Sequence, residues 1–199
     1  MKELLVATRN RKKFEEIKEL LHDLDLRITS LADYPDLPAI DEDGGTFKAN
    51  ALKKAATIAL CTKKLVLGED SGLEVSVLKN RPGVYSARFS GPNATDKKNN
   101  RKLLMMLKGI PLKKRQARYR CVAALVDGKH IIDILSGSVE GIIAMHAKGN
   151  NGFGYDPLFL IPKYKKTFGE LGSAIKSKIS HRAKALKKIK KVLETYLEK

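Results

Sequence analysis

Two acids stand side by side at Glu69-Asp70, directly after an apolar run, in the stretch LVLGEDSGL from Leu65 to Leu73. Leu65-Val66-Leu67 reads as a short buried strand that stops at Gly68. A sheet fixes the backbone of acids placed there, so their carboxylates aim in a definite direction. Such a place suits magnesium, which takes one or two carboxylates and leaves its other positions to water and substrate phosphates. Ser71 and Gly72 follow, so the same run also satisfies the chemistry of a plain turn. A third acid, Glu42, lies in Asp41-Glu42-Asp43 ahead of a helix, where acids commonly pair with the helix dipole. Glu42 could equally share a metal with Glu69 and Asp70.

A second constellation lies between the first strand and the first helix. Lys2–Ala7 is a short apolar strand, and from Asn10 the residues Phe14, Ile17, Leu20, Leu21 and Leu24 recur at helical spacing. Thr8 or Asn10 can cap that helix. A helix start offers free N–H groups and partial positive charge to a phosphate. Lys13, one turn in, adds a full charge. Basic residues in a first turn oppose the helix dipole, which points to an anion there. Two further clusters follow: Phe153-Gly154-Tyr155-Asp156 after a glycine-rich loop, and Lys176 with Ser180-His181-Arg182. The aromatics have core packing as an alternative role. The Ser-His-Arg run has an ordinary capped helix start as its own alternative.

These groups need a scaffold. Strands and helices alternate in the first half, with a helix from Thr46 to about Leu60 and another over Asp96–Leu107. Val84–Phe89 reads as extended chain. Two long strands, Arg118–Asp127 and Lys129–Val139, flank Asp127-Gly128, a strong hairpin signal. Ser180–Leu197 is a final helix. The pattern predicts an α/β protein with a mixed sheet, and 199 residues suggest one domain, residues 1–199, with two lobes.

Composition narrows the function classes. No apolar run approaches the ~20 residues of a membrane span. The N-terminus lacks a signal-peptide core. Cys61 and Cys121 are too far apart to suggest a disulfide framework or a zinc site, so a reducing cytoplasm is expected. The net charge of +17 favours a polyanionic partner. Much of it is Lys scattered along helices, as on a solvated face. A basic nucleic-acid-binding protein is the rival class, supported by nine Lys/Arg between Lys176 and Lys199, but the chain carries no recognised nucleic-acid motif.

Taken in order, ATRNRKK (Ala7–Lys13), EDGGTFKANA (Glu42–Ala51), EDSGL (Glu69–Leu73), PGVYSAR (Pro82–Arg88), GFGYDPLF (Gly152–Phe159) and KSKISHR (Lys176–Arg182) resemble the ordered motifs of the inosine triphosphate pyrophosphatase family. That family is also called the dITP/XTP pyrophosphatase or Ham1-like family. The likeness spans nearly the whole chain. It implies an elongated mixed sheet with flanking helices and two lobes around a central cleft. It also implies a cytoplasmic homodimer and Mg²⁺-dependent hydrolysis of ITP, dITP and XTP to monophosphate and pyrophosphate, with no membrane and no specific nucleic acid as partner. Carried onto these positions, Glu42 and Asp70 hold magnesium with Glu69 sharing it or behind it. Asp70 is also the base for the attacking water, and Lys176 offsets phosphate charge. Thr8, Asn10 and Lys13 hold the triphosphate, and Ser71 donates a hydrogen bond to the nucleotide. Phe153, Gly154, Tyr155, Asp156, His181 and Arg182 surround the purine. The chain departs from the family pattern in having Glu69 for the first acid of an Asp-Asp pair, Ala49 for an acid, and GNNG in the glycine loop.

Overall fold

The apolar first segment forms strand β1 (Lys2–Val6), and Leu4, Leu5 and Val6 are fully buried. The structure is a computed structural model and describes residues 2–198. The remaining elements in chain order are α1 (Arg11–Leu20), β2 (Leu26–Ser30), α2 (Phe47–Thr62), β3 (Leu65–Val75), β4 (Arg81–Pro82), α3 (Asp96–Met106), β5 (Gln116–Asp127), β6 (His130–Ile143), β7 (Phe159–Ile161), β8 (Lys166–Thr167), α4 (Ser173–Ile179) and α5 (His181–Leu197). The strands make one mixed sheet in the order β2-β1-β3-β5-β6-β7-β8, with β4 paired to β3. β1 runs parallel to both β2 and β3, while β6–β7 and β7–β8 are antiparallel. This is the α/β mixed-sheet class that the sequence predicts. Among the described residues, no helix is long and apolar enough to cross a membrane.

The chain divides into two compact units, each with a core of its own. Unit 1 takes residues up to Asp70, Cys121–Gly137 and the chain from Arg182. Its core gathers Leu4, Val6, Ile17, Leu67, Leu125, Leu186, Ile189 and Leu193. The helical spacing of Leu186, Ile189 and Leu193 turns one stripe of α5 inward. Unit 2 takes Ser71–Arg120 and Ser138–His181, around Leu73, Leu103, Tyr119, Phe159 and Phe168. Tyr119 and Phe159 pack with ring centroids 4.6 Å apart.

Three expectations change. β3 does not stop at Gly68; it runs on through Glu69-Asp70-Ser71-Gly72 to Val75, so the acids sit inside a strand and not in a turn. Pro82 to Arg88 holds a 3-10 helix over Gly83–Arg88 where extended chain was expected, because Ser86 folds its hydroxyl back onto the Gly83 carbonyl (2.6 Å). A separate short helix, α4, precedes α5, and Ser180 ends it in extended backbone.

Gly68 explains how α2 comes to lie on β3 in unit 1. A Cβ there would sit 2.2 Å from the Ala51 carbonyl oxygen and 2.7 Å from the Ala55 nitrogen. Only hydrogen allows this approach, and Ala51 and Ala55 keep the facing stripe of α2 small. Gly68→Ala is therefore expected to destabilise the protein by at least the ~1–3 kcal/mol typical of overpacking, because the new methyl meets backbone. Urea denaturation measures this, and a variant within ~0.5 kcal/mol of the parent would contradict the packing.

Candidate active site

In unit 1 the close contact of α2 with β3 brings two polar side chains of the helix onto Asp70. Thr46 caps α2 by accepting from the Ala49 N–H (3.1 Å). Four and eight residues beyond that cap, Asn50 and Lys54 share one helix face. Asn50 Nδ2 donates to Asp70 Oδ2 (3.0 Å), and its Oδ1 accepts from the Gly44 N–H (2.8 Å). Lys54 Nζ donates to Asp70 Oδ1 (3.1 Å) and to the Glu69 carbonyl (3.0 Å), and it is ion-paired with Glu42. Glu42 and Asp70, distant in sequence, thus share one buried ammonium. Burial pushes the Asp70 carboxyl above the ordinary aspartate range, although Lys54 and Lys13 pull the other way. Burial also disfavours the Lys54 cation, but Asp70 and Glu42 outweigh it and the ammonium is held charged.

Glu69 has a different environment, since successive residues of a strand face opposite sides. Its carboxylate accepts from Lys13 Nζ (2.9 Å), Arg182 Nη2 (3.1 Å) and the Cys121 thiol (3.3 Å). Arg182 is only 1% exposed and also pairs with Glu16. Burial opposes its charge, but Glu69 and Glu16 more than compensate and raise its pKa. Burial and the Glu69 charge push the Cys121 thiol well above its usual range. The helix start is built as expected: Asn10 caps α1 by accepting from the Lys13 N–H (3.2 Å), and Thr8 Oγ1 accepts from the Asn10 N–H (3.1 Å).

The C-terminal clusters gather in unit 2. Asp156 is buried, and its Oδ2 accepts from Lys176 Nζ (2.7 Å) and the Phe153 N–H (2.9 Å). Gly152 has φ +75°, and a Cβ there would fall 2.0 Å from Asp156 Oδ2, so the loop needs glycine to close over that carboxylate. The Lys176 ammonium lies 4.7 Å from the Phe153 ring centroid. Tyr155 is part of the core; its N–H donates to the Tyr119 hydroxyl (3.1 Å) and its own hydroxyl donates to the Ser86 carbonyl (2.8 Å). Tyr119 stacks on His181 at 4.6 Å and 7°. Burial, with Asp156 close by, raises the Tyr119 pKa well above normal. Gly154 is tied to α3 at both backbone atoms: its N–H donates to Asp96 Oδ2 (2.7 Å) and its carbonyl accepts from Asn100 Nδ2 (2.9 Å). Ser71, in β3, is the first residue of this unit.

The structure thus places Thr8, Asn10, Lys13, Glu42, Glu69, Asp70 and Arg182 in unit 1, and Ser71, Phe153, Gly154, Tyr155, Asp156, Lys176 and His181 in unit 2. Sequence reasoning passed over Asn50, Lys54, Glu16, Asp96, Asn100 and Tyr119. A signal existed for the first two. In Phe47-x-x-Asn50-Ala51-x-x-Lys54-Ala55 two polar residues occupy the inward stripe of a helix, where a polar group needs a buried partner.

In unit 1 Glu42 and the buried Asp70 thus pair with one ammonium and a capped helix start carries Lys13, and in unit 2 Lys176 holds Asp156 within an aromatic loop. The Ham1 family model matches residues 4–192. Curated relatives named dITP/XTP pyrophosphatase include one from Desulforamulus reducens, 48% identical over 96% of this chain and 94% of its own length. Another, from Clostridium tetani, is 48% identical over 100% of this chain and 99% of its own. A solved HAM1 protein structure from Coxiella burnetii superposes with a TM-score of 0.89 at 38% identity, covering 98% of this chain and 100% of that one. The chain belongs to the Ham1 family, and it is an enzyme of the pyrophosphatase class, a hydrolase.

Proposed function

We propose that the chain hydrolyses deaminated purine nucleoside triphosphates (ITP, dITP and XTP) to the monophosphate and pyrophosphate with Mg²⁺, clearing them from the nucleotide pool as a cytoplasmic homodimer. The observation that carries the chemistry is the convergence of Glu42 and Asp70 on the Lys54 ammonium. Two carboxylates already gathered around one positive charge are a fitting donor set for a hard divalent cation. When bound, that ion would polarise the phosphate and lower the pKa of water. The names of the relatives support the substrate class.

In this scheme unit 1 carries the phosphate chemistry. Thr8 and Asn10 at the start of α1 hold phosphate oxygens, and Lys13 adds charge. Asp70 orients the attacking water and takes its proton. The water oxygen bonds to the α-phosphorus, the bond from that phosphorus to the bridging oxygen breaks, and pyrophosphate leaves in line. Glu69, on the opposite face of β3 from Asp70, holds Lys13 and Arg182 and stands behind the metal. Lys54 keeps the two acids together and adds a cation beside them.

Unit 2 carries recognition. Phe153 stacks on the purine, Asp156 accepts from a ring N–H, Gly154 lets the backbone come close, and Tyr155 anchors the loop. Lys176 offsets phosphate charge and Ser71 donates to the nucleotide. His181 donates toward the C6 carbonyl of hypoxanthine and xanthine, while Arg182 of unit 1 is committed to Glu16 and Glu69. Adenine carries an amine there and would leave a donor unpaired.

A pyrophosphate-release panel over ITP, dITP, XTP, ATP and GTP, with and without magnesium, tests the proposal. The oxo-purines ITP, dITP and XTP should exceed ATP in kcat/KM by about 10²-fold or more. EDTA should stop the reaction. Equal use of ATP would remove the base-reading scheme, and turnover in EDTA would remove the metal. Salt-sensitive duplex binding without any hydrolysis would favour the basic nucleic-acid-binding alternative.

A further inference from the structure

Unit 2 contains a cavity of about 840 Å³ on the α3 side of the glycine loop. Its size lies within the range typical of small-molecule sites, ~300–1,000 Å³. Four cations line it, Lys97, Arg101, Lys108 and Arg115, against one carboxylate, Asp96, whose Oδ2 is already bound to the Gly154 N–H. Arg115 is 3% exposed, and three main-chain carbonyls hold it: Nε donates to Ile110 (2.9 Å), Nη1 to Ala144 (3.3 Å) and Nη2 to Leu107 (2.8 Å). No carboxylate stands against its charge among the described residues. A buried guanidinium without a counterion is costly, and burial alone lowers its pKa. Carbonyl dipoles fix its orientation but leave the net positive charge in place. Met105 and Met145 also line the cavity, 68% and 53% exposed.

We propose that this cavity is a second ligand site, for a small organic phosphate of about nucleoside-monophosphate size. Arg101 supplies a planar fork that matches phosphate oxygens, Lys97 and Lys108 supply point charges, and the buried Arg115 adds its positive charge to the cavity wall. The methionines are flexible and polarisable, so they fit a flat ring or sugar face. Phe153 and Gly154 of the glycine loop also line the cavity, so it abuts the proposed purine site, and Asp96 and Asn100 line it while holding the two backbone atoms of Gly154. A bound ligand therefore acts on the position of that loop.

The test uses the full chain and measures AMP binding by calorimetry, with adenosine and inorganic phosphate as comparison ligands. AMP carries no C6 carbonyl, so the proposed substrate chemistry disfavours it. Wild type should bind one AMP per chain, more tightly than inorganic phosphate and with no measurable adenosine binding. The double variant Arg101→Glu/Lys108→Glu changes two exposed side chains, so thermal unfolding and kcat/KM for ITP should match wild type, while AMP binding weakens at least about tenfold. Unchanged AMP affinity in that variant would overturn the proposal. Inorganic phosphate binding as well as AMP would overturn the organic ligand, leaving only an anion seat. A tenfold rise in KM for ITP would make the cavity part of the substrate site and overturn its separate status.

Discussion

Asp70→Asn is expected to lower pyrophosphate release by about 10³-fold or more, since general-base work alone contributes roughly 10²–10⁴ and the change also weakens the carboxylate pair. The substitution is nearly isosteric, yet it is not silent. Both Asp70 oxygens accept from donors, Asn50 Nδ2 and Lys54 Nζ. An amide has one oxygen, so whichever way it turns, its NH₂ faces a donor. The resulting mismatch costs about 1–3 kcal/mol. Lys54 keeps Glu42, so no buried cation is stranded and the fold survives. Circular dichroism should match the parent while steady-state turnover collapses. Turnover within about tenfold of wild type would remove Asp70 from the base role.

The second large effect falls on stability. Arg182→Met should cost about 3–5 kcal/mol, the range for breaking a buried ion pair on one side only. Methionine fills much of the volume, so the loss is mainly electrostatic: Glu69 is left buried with Lys13 and the Cys121 thiol. Adding Glu69→Gln should recover part of the loss, because the uncompensated carboxylate is then gone. Lys13, less deeply buried, can turn toward solvent. Denaturant titration of the two single variants and the double closes the cycle. A cost below about 1 kcal/mol for Arg182→Met would show that the guanidinium is not the charge holding Glu69 in place.

Much of this architecture is legible in the sequence. The period of Leu186, Ile189 and Leu193 gives α5, and the Asn10 cap gives the start of α1 to within a residue, although the helix ends at Leu20, short of the Leu24 that the pattern includes. The acid pair was harder. Glu-Asp-Ser-Gly carries turn chemistry, and only the close packing of α2 at Gly68 shows why a glycine belongs inside a continuous strand. Strand alternation then separates Glu69 from Asp70, which a linear motif cannot express. Lys54 was passed over because lysine is abundant and usually solvated, so one buried lysine among many gives no compositional signal. Val84–Phe89 failed for a similar reason: β-branched and aromatic residues suggested extension, while a local Ser86 hydrogen bond decided the backbone.

The ammonium shared by Glu42 and Asp70 has a consequence for assembly. Two carboxylates drawn together from opposite ends of a helix-loop segment would repel, and many ion-binding centres take shape only when the ion arrives. Here an internal counterion, Lys54, does that job, so the arrangement of the two acids is shaped during folding. Under the proposed metal scheme, a shortage of divalent ions would then leave idle protein in its native shape rather than unfolded chain.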